Sequence, residues 1–483
     1  MPGLIRRIKD RLDPDRLLQD TVRGFIEAQA TRHALDLDRE SWSPQKPLKL
    51  LLAGYTGSRN TGADVRVEEM IRQFRHILGD DNIELTIMTT DPKGSAGYFR
   101  TVRQVEVPLL FPKFLFDECR KHHGVVACEG SMFKSKFSSA LTCMMAGALG
   151  MANAENKLSV GYGAEAGAMT ESLQEFVRDV CRDSLVICRN EPSRDVLGRL
   201  GIRTTSGTDT AWTFEPAPLD VGRRILAEHG VDGDRPILVL CPINPFWWPV
   251  RPDLVKALAH GLGGQYRREH YRSIYFHDYR PEDEDAYLRY VDAYADGARA
   301  FAERHGAQIV CVGMEKLDRH ACEDVAARLP GGAPVFVSDT YDMYELVSLL
   351  RCCTYMLSSR FHAIVTSMPG LVVSAGVTMD ERIRNLMNDR GTPELFLEVD
   401  EDDLTDKVID VLETLARDRD RIRDAIGRTI PQQFETMGRM GIDFLDEVRR
   451  VYPAFEPPRR PRDPLAHLPP LAPELRALME TYA

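Results

Sequence analysis

Leu48-Lys49-Leu50-Leu51-Leu52-Ala53-Gly54-Tyr55-Thr56-Gly57-Ser58-Arg59-Asn60-Thr61-Gly62-Ala63-Asp64 passes from an apolar run straight into a glycine-rich turn. The amphipathic stretch 64–78 follows, so the segment reads as strand, loop and helix, the opening unit of a doubly wound α/β fold. Its apolar run is continuous rather than alternating, which predicts a sheet covered on both faces. Gly54, Gly57 and Gly62 would let backbone amides approach an anion, and the next helix N-terminus favours negative charge. The stretch is neither the G-x-x-x-x-G-K-[ST] phosphate loop nor a clean G-x-G-x-x-G, so a purely structural turn stays open beside a ligand-binding one. Asn60, Thr61 and Arg59 add side chains able to hydrogen-bond a substrate.

The same alternation recurs along the chain. Strands are predicted at 83–88, 124–128, 158–161 and 185–188, with a helix over 193–200 closed by Gly201. Pro216, Pro218 and the Gly/Asp-rich stretch 230–234 mark a boundary. A second series follows, with strands at 237–240, 274–276, 308–312, 335–337, 354–357 and 371–374. Its helices fall at 282–302, 319–329, 344–350 and 382–388. The expected architecture is α/β, with two Rossmann-like doubly wound domains facing a cleft. The expected divisions are a helical extension at 1–46, domains at 47–215 and 236–450, a linker at 216–235 and a proline-rich tail at 451–483. That tail is expected to be extended and to carry little core.

Composition bounds the function. At 483 residues the chain exceeds one ordinary core, and 43% hydrophobic with 28% charged residues is a globular balance. A net charge of −11 argues against a general affinity for nucleic acid, since counterion release rewards basic surfaces. The ten cysteines include no C-x-x-C pair, and Cys119 with His122 and His123 lacks the second pair a zinc site needs. The expectation is reduced thiols in a cytoplasm, with no metal. No secretory signal is expected, nor any stretch of about 18–20 apolar residues. Leu4, Ile5, Ile8 and Leu12 alternate with Arg6, Arg7, Lys9 and Arg11. This pattern suits a helix packed on the protein, or one resting peripherally on the inner face of a membrane.

Candidate site residues lie where predicted strands end. Glu129, Lys134 and Lys136 follow the strand at 124–128; the lysines could hold an anion or be solvated. Arg189 could grip a carboxylate or phosphate bidentately, or pair at the surface with Glu191 or Asp195. Ser358-Ser359-Arg360-Phe361-His362-Ala363 sets Arg360 and His362 on a strand-to-helix turn, and Asp380 and Arg382 fall on the neighbouring loop. A histidine there can give and take a proton in one cycle.

Three of these segments resemble the polysaccharide pyruvyltransferases: Gly54-Tyr55-Thr56-Gly57…Asn60-Thr61-Gly62, Ile187-Cys188-Arg189-Asn190-Glu191-Pro192-Ser193, and Ser358–Ala363. The likeness spans roughly residues 47–395. It implies a fold similar to GT-B glycosyltransferases, phosphoenolpyruvate as co-substrate, a pyruvate ketal formed on two hydroxyls of a sugar or glycan, and no further cofactor. By resemblance, His362 is catalytic and Arg189 and Arg382 hold the donor. The chemistry of the residues adds Asp64 or Glu129 as partner base, Arg360 and Lys134 on the donor, and Asn60, Thr61 and Arg59 on the acceptor. Asp209 resembles an architectural Asp-Pro-Ala turn. Ala63 stands where the family has an acid, Asp64 following it, and Asn244-Pro245-Phe246-Trp247-Trp248-Pro249 is private to this chain. The alternatives are a nucleotide-sugar-dependent glycosyltransferase and a non-catalytic binding protein derived from this fold.

Overall fold

The computed structural model describes residues 13–37, 41–266, 270–272, 274–278 and 280–482; the basic-apolar pattern at 4–12 lies outside them. The first sheet has seven parallel strands: β1 (Leu48–Ala53), β2 (Ile83–Thr89), β3 (Arg103–Glu106), β4 (Gly124–Ala127), β5 (Leu158–Ala164), β6 (Leu185–Cys188) and β7 (Arg203–Ser206). They lie in the order β3-β2-β1-β4-β5-β6-β7. The central strands β1, β4, β5 and β6 are almost wholly buried, as their unbroken apolar sequences demand. The edge strands β3 and β7 are polar and half-exposed, which is why apolar patterning misses them.

A second sheet of six parallel strands repeats the plan. It comprises β8 (Ile237–Cys241), β12 (Gln308–Gly313), β13 (Val335–Val337), β14 (Tyr355–Ser358), β15 (Val373–Thr378) and β16 (Phe396–Glu398), in the order β13-β12-β8-β14-β15-β16. Between β8 and β12, strands β9 (Val250–Pro252), β10 (His270–Arg272) and β11 (Tyr275–His277) form a separate antiparallel sheet ordered β10-β11-β9. The strand expected at 274–276 therefore belongs to this insertion and not to the parallel sheet. Its run of three residues is too short to span a covered layer.

In each sheet the strand order reverses once, between β1 and β4 and between β8 and β14. Connections leave to opposite faces at such a point and open a crevice at the strands' carboxyl ends. Helix Thr61–Leu78 starts beside the first crevice, with the Asn60 side chain accepting from the Ala63 amide at 3.3 Å.

Helix Arg419–Val451 leaves the second half and packs on β5, β7 and helix Thr61–Leu78 of the first. Phe444 stacks on Phe74 at 4.4 Å and meets Tyr162 edge-on, while Glu447 bonds Arg203 at 3.0 and 3.1 Å. The tail is not the loose extension its prolines suggest. It forms helix Pro473–Tyr482 and buries Phe455, Leu468 and Leu475. Its apolar residues sit between the prolines and pack once the long helix offers a surface. Cys119, His122 and His123 are buried, with His122 Nδ1 against the Glu118 carbonyl and His123 Nδ1 accepting from the Lys49 amide. Among the described residues no helix is long and apolar enough to cross a membrane.

Candidate active site

The two crevices face one another and share a cavity of about 290 Å³. Its polar end is lined by Asn60, Glu129, Ser131, Glu315, Arg360, His362 and Arg382. Bonds between the halves there include the Thr61 amide donating to the Met314 carbonyl at 2.8 Å and Asn60 Nδ2 donating to Glu315 Oε2 at 3.1 Å.

Behind the polar end lies a buried charge cluster centred on Asp209. Its Oδ2 lies 3.0 Å from Arg66 Nε, 3.1 Å from Arg189 Nη1 and 3.2 Å from His362 Nε2, while Oδ1 accepts from the Ala211 amide at 3.0 Å. Burial works to raise this carboxyl, but Arg66, His362 and Arg189 together hold it far below the usual carboxylate range. Asp209 is thus an anion at any physiological pH. Burial is also the largest influence on His362 and lowers its pKa against the pull of Asp209, so the imidazole is neutral at pH 7. With an anion facing Nε2, the proton of the neutral ring is assigned to Nε2, leaving Nδ1 as the basic nitrogen. Gly62 makes room for the ring: a Cβ there would stand 2.3 Å from Nδ1.

Arg189 is not at the surface with Glu191 or Asp195; its side chain is 4% exposed. Besides Asp209 it pairs with buried Glu165, and its guanidinium lies 4.6 Å over the ring of Phe361, which lines the cavity. Burial lowers its pKa to about 10, and nearby Arg66 and Arg382 add to this, so its carboxylates compensate it without strengthening it. Lys134 is likewise interior, 3.0 Å from Glu165 and 2.7 Å from Glu381, with burial lowering its pKa to about 8. Neither Arg189 nor Lys134 lines the cavity. Arg382 and Arg360 do. Arg382 bonds Asp380 through Nε at 2.7 Å and rests 4.9 Å over the Phe137 ring, and among the described residues its Nη groups have no bonded partner. Arg360 bonds Asp318 through Nε at 2.8 Å and Glu315 through Nη2 at 3.0 Å.

Three further expected site residues, Asp64, Arg59 and Thr61, also stay off the cavity wall. Asp64 does not line the cavity; its Oδ1 accepts from the Gly57 amide at 2.7 Å, so it shapes the glycine-rich loop from within. Burial raises its pKa to about 8, which makes it a protonated acid at neutral pH and a poor base. Arg59, at φ 60°, turns away to bond the Tyr98 hydroxyl at 3.0 Å, and the Thr61 side chain is buried. Asn60 and Glu129 stay at the cavity wall; Glu129 Oε1 accepts from its own loop's Gly130 amide at 2.8 Å. Lys136 Nζ donates to the Met379 carbonyl at 2.9 Å, a tie between the halves.

Arg66 lies inside helix Thr61–Leu78 and carries no signal of position after a strand. Glu165, by contrast, follows β5 directly, and Glu315 and Asp318 ride on the turn after β12, so the positional rule applied to those strands would have reached them. A second signal for Glu165 is its lone charge within a stretch otherwise apolar or small, Tyr162-Gly163-Ala164-Glu165-Ala166. Asp209 passes for a turn residue until its partners are in view.

A family model described as polysaccharide pyruvyl transferase matches residues 60–368. No curated protein matches the chain in sequence. Among solved structures, a putative UDP-N-acetylglucosamine 2-epimerase from Listeria monocytogenes is similar with TM-score 0.50 at 10% identity, over 86% of this chain and 99% of that one. UDP-GlcNAc 2-epimerase from Neisseria meningitidis bound to UDP-GlcNAc gives 0.48 at 10% identity, over 78% and 94%. Spinosyn rhamnosyltransferase complexed with thymidine diphosphate gives 0.44 at 10% identity, over 84% and 96%. At such identities the likeness concerns the fold, two Rossmann-like halves in the GT-B-like arrangement.

Proposed function

The chain belongs to the polysaccharide pyruvyl transferase family, and on that premise we propose that it moves the pyruvyl group of phosphoenolpyruvate onto two hydroxyls of a glycan or glycoside as a cyclic ketal. The observation that carries this reading is the Asp209–His362 pair, set at 3.2 Å beside a cavity whose wall also holds the guanidinium of Arg382.

The chemistry asks for a base, an acid and cations. One acceptor hydroxyl adds across the enol double bond: its oxygen bonds C2, and C3 gains a proton. The second hydroxyl then displaces inorganic phosphate from C2 and closes the ketal, so donor and diol become ketal and phosphate. The neutral imidazole of His362 takes the first hydroxyl's proton on Nδ1. Asp209 stabilises the imidazolium so formed, and the ring can return the proton to C3. Arg382 binds the donor's carboxylate or phosphate through its Nη groups and offsets the charge that leaves with phosphate. Arg189 and Lys134 act from behind as fixed positive charge, Arg189 through Phe361 and Asp209. Glu129 is the second carboxylate in reach of the acceptor. Ten unbridged cysteines suit a cytoplasmic site for the reaction.

The test is incubation with phosphoenolpyruvate and a panel of glycans and glycosides, read by phosphate release and by the mass of an added pyruvate ketal. Release coupled to that mass is the expected result. No release across the panel, together with a rise in melting temperature on adding UDP- or GDP-sugars, would transfer the site to the nucleotide-sugar reading.

A further inference from the structure

The polar wall of the cavity carries two carboxyl groups, Glu129 from the first half and Glu315 from the second. Glu315 is engaged: its Oε2 accepts from Asn60 Nδ2 at 3.1 Å and from Arg360 Nη2 at 3.0 Å. Glu129 is engaged on one side only. Its Oε1 accepts from the Gly130 and Ser131 amides at 2.8 and 3.4 Å, which fixes the direction of the carboxyl. Its Oε2 is enclosed and has no hydrogen-bond partner among the described residues. An accepting oxygen shut off from water costs free energy until a donor reaches it, and a sugar hydroxyl held in the cavity is such a donor.

The loop that carries Glu129 is pinned to the cluster that orients His362. Arg66 donates through Nη1 to the Cys128 carbonyl at 3.0 Å and pairs through Nε with Asp209 Oδ2, the oxygen that also faces His362. Gly130 lies against Arg189, so close that a Cβ there would stand 2.8 Å from Nη1. A carboxylate of the first half and an imidazole of the second are thus held on one frame beside one cavity. Ketal formation takes a proton from two hydroxyls in turn, carried on different carbons of the acceptor. We infer, resting on the pyruvyl-transfer reading, that the two bases are divided between the halves: His362 serves the first hydroxyl and Glu129 the second. In the closing step the second oxygen bonds C2, and the C2–O bond to phosphorus breaks with its electron pair passing to phosphate. The hydroxyl proton passes to Glu129 Oε2 and from there to solvent water.

Glu129→Gln separates the two steps. It keeps the shape of the side chain, and its amide oxygen still accepts from the Gly130 amide, but its NH2 cannot take a proton. With phosphoenolpyruvate and a glycoside that the wild type converts, a base-quenched time course is read by phosphorus NMR and mass spectrometry. The expected product is an acyclic adduct of donor plus acceptor that retains its phosphate. Its build-up should run within about threefold of native donor consumption, while ketal and free phosphate fall by about 10²-fold. His362→Gln should give neither adduct nor ketal. Glu129→Asp draws the carboxylate back and should raise the ratio of adduct to ketal less steeply; that ratio decides the matter should the Gln variant not fold. Ketal formed by Glu129→Gln at the native rate, or a native ratio in Glu129→Asp, would overturn the assignment. So would joint loss of adduct and ketal in a variant whose melting curve is native. A wild type that makes no ketal from any acceptor would instead bring down the transfer reading itself, and this division of labour with it.

Discussion

Asp209→Asn changes one atom at the point where three donors converge. In the native protein Oδ2 faces Arg66 and Arg189 at 3.0 and 3.1 Å and His362 at 3.2 Å, while Oδ1 accepts from the Ala211 amide. An asparagine has one accepting oxygen for these two sides. With the oxygen toward the arginines, its NH2 meets the Ala211 N–H; turned round, the NH2 meets two buried guanidinium groups. Removing one member of such a buried ion cluster costs about 3–5 kcal/mol, enough to lower Tm by roughly 5 °C. The sign with pH follows from the depressed pKa of Asp209 in the folded state. Its contribution is present above the unfolded value of about 4 and is lost only as pH falls below that. The stability gap should therefore be constant from about pH 7 to 9, where His362 is neutral in both proteins, and should widen below about pH 6.5 as His362 takes a proton more readily beside Asp209. Catalysis gives the sharper readout. Without Asp209, only burial and the two arginines act on His362, and all three lower its pKa. The acid limb of the kcat profile should move to lower pH, and kcat on its plateau should fall by about 10²-fold as the ring loses its orienting partner. Stopped-flow phosphate release across pH, beside melting curves, measures both. A variant that loses stability but keeps the native pH limb and a kcat within about threefold would refute the assignment of His362 as the group oriented by Asp209.

Other substitutions probe the same wall. His362→Gln should cut turnover by about 10²-fold or more in the phosphate-release assay, and full activity would dismiss its proton-transfer role. Gly62→Ala places a methyl 2.3 Å from His362 Nδ1, so the ring must shift; kcat should drop at least about tenfold while circular dichroism stays native. Asp64 has a folded pKa raised to about 8 by burial, so the native protein binds one more proton than the unfolded chain between about pH 4 and 8 and loses stability as pH rises through that window, by at most about 1.4 kcal/mol per pH unit. Asp64→Asn, which can still accept from the Gly57 amide, should remove that slope in denaturant titrations at several pH values; parallel slopes for the two proteins would contradict a protonated Asp64.

The sequence carried the fold because its central strands are buried on both faces and must be written as apolar runs; β1 and β6 start and stop where their apolar letters do. The polar edge strands β3 and β7 and the insertion's β9 and β10 have no such constraint and were illegible, while β11 reads as a strand, but as one of the parallel sheet. Position after a strand does place Glu129, Arg360, His362 and Arg382 at the cavity wall, because strand ends fix loops at the crevice. It failed for Asp64, Arg59, Arg189 and Lys134. A residue's place in the chain says which loop it rides on. Whether it turns to the cavity or inward depends on partners such as Glu165 and Asp209, which come from other strands and are set only by the packed tertiary structure.

The long helix Arg419–Val451 has a consequence for how the molecule can be made. The face of the first half that carries Phe74 and Tyr162 is closed by Phe444, and the Tyr452 hydroxyl reaches back to the His123 carbonyl. A ribosome that has delivered the entire first sheet has still not delivered its cover, which emerges only after every strand of the second sheet has been made. The nascent first half must therefore wait with an aromatic face exposed to the cell, and a chain terminated before residue 444 should be a client of chaperones and proteases rather than a half-sized enzyme. The two halves look separable on the page of strands, yet the long helix makes them one unit of synthesis.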